Sequence, residues 1–245
     1  MKFQDTRNKV QTIFNIQTSN IKIFENWKLK FVICLYLVFC FLIIFTSGCA
    51  KTVTQLVTYG DEMVVEVTLR GNVDIGANRY FLIVSSDPAY KVPLPAPDYL
   101  EDAPELIEPG DTPSIGSVEA YYTNFYNTWS GYVILDPSGF TMVKGPFVVG
   151  TTPTREVLSS LTEISSILTF SFRLGRMFAT VPDQVYFDFV TVPWPDGNIK
   201  IPTDHLPSSN NYILKISGSL VTIDDETDLD LEASEDIVSC KVEVQ

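Results

Sequence analysis

Strict alternation of apolar and polar residues limits this chain's fold more than any other feature. Glu62 to Leu69 places Met63, Val65, Val67 and Leu69 on one face, and Glu62, Glu66 and Thr68 on the other. Leu168, Phe170, Phe172 and Leu174 alternate in the same way against Thr169, Ser171 and Arg173. A period of two sends every second side chain toward a core, as a half-buried strand does and a helix does not. Gln184 to Val192 continues the theme, with Val185, Phe187 and Phe189 opposite Tyr186, Asp188 and Val190. Arg79 to Ser85 is apolar on both faces, which predicts a central strand covered on both sides.

Further strands are expected at Thr52–Thr58, Trp129–Leu135, Phe140–Val149 with a bend at Gly145-Pro146, and Ile237–Val244. Pro137-Ser138-Gly139 is a hairpin turn, and Ser217-Gly218-Ser219 predicts another between Tyr212–Ile216 and Leu220–Ile223. Thr152-Pro153 has the chemistry of a helix start. Val157, Leu158, Leu161 and Ile164 follow at helical spacing, so one short helix is predicted over Pro153–Glu163. The sum is an all-β fold: a single elaborated β-sandwich of about ten to twelve short strands and one short helix. Two packed sandwiches divided near Gly150 are the alternative.

Ahead of this domain stands a different kind of segment. Phe31 to Phe45 is fifteen residues without a charge, preceded by Lys28 and Lys30 and followed by Thr46-Ser47-Gly48-Cys49. The run is shorter than the roughly 20 residues of a bilayer-spanning helix and suits the apolar region of an export signal. Basic residues, apolar run, small residues and cysteine together resemble the lipobox signal of bacterial lipoproteins, with Thr46 where that motif usually has Leu. The resemblance implies cleavage between Gly48 and Cys49 and fatty acylation of Cys49, with palmitate as the expected type of chain. It divides the sequence into a non-globular extension over 1–27, a signal peptide over 28–48 and an exported domain over 49–245. Translation starting near Lys28 would explain the unusual length ahead of the signal. An uncleaved N-terminal anchor helix is the alternative. Ala50 after the cysteine implies the outer membrane if the source cell has two membranes.

The exported part carries 11 Lys and Arg against 28 Asp and Glu, a net charge of about −17. Nucleic acid is therefore not an expected partner, because neutralising phosphates takes clustered Lys and Arg. An anionic membrane surface would repel the domain, so contact with the membrane is expected through the lipid on Cys49. Cys240 is the only other cysteine after Gly48, so no disulfide can form within the domain and its core must hold it.

Few residues promise chemistry. His205 is the only histidine and reads, with Asp204, as a solvated loop pair, which removes most serine-, cysteine- and zinc-based mechanisms. Asp224 to Asp236 holds eight acids in thirteen residues. Asp224, Asp228, Asp230 and Glu232 could supply oxygen ligands to calcium, although the spacing is not that of an EF-hand; a solvated acidic loop is the alternative. Tyr121, Tyr126, Trp129 and Trp194 are candidate rings for stacking on a glycan, or else parts of the core. Asp87–Val118, with seven prolines and seven acids, and Pro193–Asn211 are long loops suited to meeting a partner. The expected function is a binding or structural role in the cell envelope, toward an envelope protein or glycan. A carbohydrate-binding module and a hydrolase using two carboxylates are the alternatives.

Overall fold

The computed structural model divides into two compact units, Met1–Gln55 and Leu56–Gln245. It describes residues 58–94, 106–113, 120–194, 200–208 and 210–245, together with Leu35 alone in the first unit. Apart from Leu35 and Thr58, the signal segment, Cys49 and the strand expected at Thr52–Thr58 lie outside the described residues. Among the described residues no helix is long and apolar enough to cross a membrane.

The second unit is mostly strand and forms two antiparallel sheets. The strands are β1 (Glu62–Leu69), β2 (Asn78–Ser85), β3 (Gly131–Asp136), β4 (Gly139–Lys144), β5 (Thr154–Ser159) and β6 (Ile167–Arg173). Then come β7 (Gln184–Pro193), β8 (Asp204–His205), β9 (Tyr212–Leu214), β10 (Ser219–Asp224) and β11 (Ile237–Val244). A small sheet has the order β10-β11-β1-β6. A large sheet runs β5-β4-β3-β2-β7-β8, with β9 also paired to β7. Segments before and after Gly150 share both sheets, so a division there would cut each of them.

The alternation of β1 becomes three apolar rows across the small sheet. Met63 stands between Phe172 and Val244, Val65 between Phe170 and Val242, and Val67 between Leu168 and Cys240. All nine are buried. They pack against Tyr80, Leu82 and Val84 of β2 and Phe187 and Phe189 of β7 in one core cluster. Phe140 and Phe170 stack at 4.7 Å between ring centroids, joining β4 to β6 across the sandwich.

The large sheet is apolar on its other face too, as the pattern of β2 predicts. Phe81, Ile83, Ile134, Val190 and Val192 belong to a second core cluster beneath the chain that connects β2 to β3. That chain includes helix α1 (Ala120–Tyr126), whose Tyr122 and Tyr126 lie one turn apart and are buried. Four polar handles fasten this aromatic layer. The Tyr90 hydroxyl donates to the Phe187 carbonyl (2.7 Å), Tyr122 to Leu94 (2.7 Å) and Tyr126 to Ile107 (2.5 Å); the Trp129 indole N–H donates to Lys91 (2.7 Å). The described part of the proline-rich excursion is thus a third layer.

Two expectations are corrected. The helix predicted over Pro153–Glu163 is instead the edge strand β5, paired with β4 through Met142↔Glu156 and Val143↔Arg155. An isolated helix of about eleven residues is marginal in water, and the open edge of β4 offers a ladder of backbone hydrogen bonds. The described helices are α1 and the four-residue α2 (Leu174–Met177). The hairpin expected between Tyr212–Ile216 and Leu220–Ile223 is a corner: β9 pairs with β7 and β10 with β11, in different sheets. The turn geometry is present, with Gly218 at φ +83°, but longer partner strands capture each arm.

Candidate functional site

Tyr126 and Trp129 are core residues, 4.9 Å apart between centroids, and offer no face to a glycan. Trp194 is half-buried and packs near Phe81, and the Lys200 ammonium stands 4.2 Å over its ring centroid. The side chain of Tyr121 lies outside the described residues. Burial of the polar-handled rings, which beats exposure because each handle finds a carbonyl, corrects the reading of Tyr126 and Trp129 as a platform.

The acidic run is organised by one cation. The Arg70 Nε donates to Asp236 Oδ2 at 2.5 Å, and its Nη2 donates to the carbonyls of Asp228 (3.1 Å) and Leu231 (2.5 Å). Asp236 is fully buried, and its second oxygen accepts the Asp228 amide at 3.2 Å. Asp224, Asp228, Asp230 and Glu232 are exposed and not gathered. Among the described residues no group of three or more His, Cys, Asp or Glu is placed to hold a metal ion.

A second group of carboxyls lies where β7 and β8 meet the end of the acidic run. Asp188 is fully buried on β7; Oδ1 accepts the Leu206 amide at 3.2 Å, and Oδ2 has no hydrogen-bond partner among the described residues. Burial raises its pKa well above the usual carboxyl range, and Asp225 and Asp204 add to this. Asp204 Oδ1 accepts the His205 amide (2.8 Å) and Oδ2 the Ile237 amide (2.7 Å), fastening β8 to the start of β11. Burial pushes Asp204 up to about 6 against the pull of those two amides, with Asp225 and Asp236 contributing. His205 is half-buried in β8, and its Nδ1 donates to the Leu206 carbonyl at 2.6 Å. Asp204 and His205 are therefore part of a sheet edge, not a solvated loop pair. Asp188 carried a signal in the sequence: it is a lone acid inside an apolar strand. Yet the described contacts of these carboxyls are backbone amides of the fold itself, a role in structure before chemistry.

An open, partly apolar groove of about 500 Å³ lies between β9 and β10, lined by Asn211, Tyr212, Ile213, Leu214, Leu220 and Val221 among others. Tyr212 is 46% exposed, Leu214 39% and Leu220 55%. Beside it the Lys215 ammonium stands 5.6 Å from the ring centroid of Tyr59, which is 62% exposed. The topology makes this site. Among the described residues β9 and β10 each pair on one side only, so two strand edges face a shared corner.

Comparison with protein-family models, with curated proteins and with solved structures gave no match to this chain.

Proposed function

We propose that the protein is a lipid-anchored component of a bacterial cell envelope, with a binding or structural role and no catalysis. The observation that carries this is the run Phe31–Phe45 ending in Thr46-Ser47-Gly48-Cys49, followed by a domain of opposite character, acidic and mostly strand. An uncharged fifteen-mer flanked by lysines suits export, and a cysteine after small residues suits acylation. The domain's features favour binding over chemistry: the described hydrogen bonds to Asp188 and Asp204 come from backbone amides of the fold, whereas the groove at the β9–β10 corner is open.

Mass spectrometry of protein extracted from membranes tests this reading. The expected species begins at Cys49 and carries diacylglyceryl and acyl groups on that residue. A Cys49→Ala variant is expected to accumulate as uncleaved, unacylated precursor. An intact Met1–Gln245 chain with unmodified Cys49 would overturn the proposal.

A further inference from the structure

The chain enters the described domain beside an exposed apolar corner. The Ser217 amide donates to the Thr58 carbonyl at 2.8 Å, and Ser217 lies in the turn between β9 and β10. The entry point and the groove therefore share one corner. Eight residues lie between Cys49 and Thr58, which makes nine Cα-to-Cα steps. Fully extended, such a stretch spans at most about 30 Å, about the diameter of a small domain. A lipid on Cys49 would hold this corner nearer the leaflet than the opposite end can be held.

The side chains fit that position. Tyr59, Tyr212, Leu214 and Leu220 are exposed here, with Lys215 among them. Tyrosine and lysine beside exposed leucine are what a bilayer interface accommodates: rings at headgroup level, and an ammonium that reaches back to water on an apolar stem. Polarity also changes along β10. Leu220, Thr222 and Asp224 share its exposed face, in that order away from the corner. Four residues of strand cover about 13 Å, so the carboxylate stands beyond the roughly 5–10 Å to which an interfacial element sinks. A partner strand adding to the edge of β10 would use its whole length, whereas lipid would meet only the end that is apolar.

We propose that the corner formed by Tyr59, Tyr212, Leu214, Lys215 and Leu220 rests in the headgroup region of the bilayer that holds the lipid on Cys49. This rests on the lipid-anchor reading above. The contact is apolar, because the exported part carries about −17 charges and Glu243 lies opposite Leu220 on β11. Zwitterionic lipid suffices, and anionic lipid does not strengthen it.

The test uses the mature protein extracted from membranes and placed in phosphatidylcholine vesicles, with its mass measured at Cys49. A nitroxide label is attached at Leu220→Cys or, as control, at Val157→Cys on the exposed edge strand β5; native Cys240 is fully buried. At position 220, access of a water-soluble nickel chelate is expected to fall several-fold on going from detergent to vesicles, and access of oxygen to rise. At position 157 neither should change. Equal nickel access at both positions, with Cys49 acylated, overturns the membrane-facing corner and leaves the anchor standing. Unmodified Cys49 overturns the anchor reading and this proposal with it. Protection at 220 that appears without vesicles and grows with protein concentration points to a second copy of the chain, and also overturns the proposal.

Discussion

Asp204 and Asp188 set the pH dependence of this domain in an uncommon direction. Burial raises both carboxyls, Asp204 to about 6, and raises Asp225 and Glu235 as well. In the unfolded chain these groups titrate near ordinary carboxyl values, so between about pH 4 and 6 the native state binds more protons. Stability then falls as pH rises through about 6, the opposite of a salt-bridged carboxylate. The melting temperature is expected to be higher at pH 5 than at pH 7.5, and Asp204→Asn should flatten the slope. A melting temperature that rises over that interval would contradict the assignment. Arg70 gives a second prediction at this scale. Arg70→Ala leaves the fully buried Asp236 carboxylate without its cation, which should cost about 2–3 kcal/mol in denaturant unfolding. This is below the roughly 3–5 kcal/mol of a fully buried pair because the guanidinium is 27% exposed.

Among the elements, what was legible in the sequence followed from burial on one face. β1 and β6 were readable because their buried side chains fall on every second residue, whereas β7 alternates only at its start and is buried on both faces from Phe187 to Val192. β2 was readable as central because both its faces are apolar. β5 was not, because Thr154–Ser159 buries little: Val157 is exposed, and its strand character comes from the edge of β4. The corner between β9 and β10 was hidden for a related reason, since a turn sequence does not say which sheet each arm joins. The acidic run showed its charge but not Arg70, which lies more than 150 residues away in sequence. The apolar rows make a prediction for β6. Phe170 fills the row of Val65 and Val242 and stacks on Phe140, so Phe170→Ala should destabilise the domain by about 3–5 kcal/mol in a urea titration. Val157→Ala on exposed β5 should change it by less than about 0.5 kcal/mol.

At the level of the whole domain, the order of strands decides how it comes apart. The small sheet draws β1 from one end of the chain and β10 and β11 from the other, with β6 between, and β11 is an interior strand. Neither the rows of β1 nor the tie from Asp204 to Ile237 exists until the last strand is in place. Pairings this distant in sequence close late, which implies refolding in the millisecond-to-second range. The aromatic layer rests on the outer face of the large sheet alone, and it could in principle leave first. Its handles argue otherwise. Tyr90 holds the backbone of β7, and Trp129 and Tyr132, at 6.1 Å between centroids, join the layer to β3. Of the tryptophans, Trp129 and Trp194 belong to this layer, while far-ultraviolet circular dichroism reports mainly the strands. If the leader that carries Trp27 is removed, as proposed above, tryptophan fluorescence and circular dichroism should therefore give one shared midpoint in denaturant. A fluorescence transition at lower denaturant would mean that the layer peels from an intact sandwich, and that the hydroxyl and indole bonds do not couple it to the sheets.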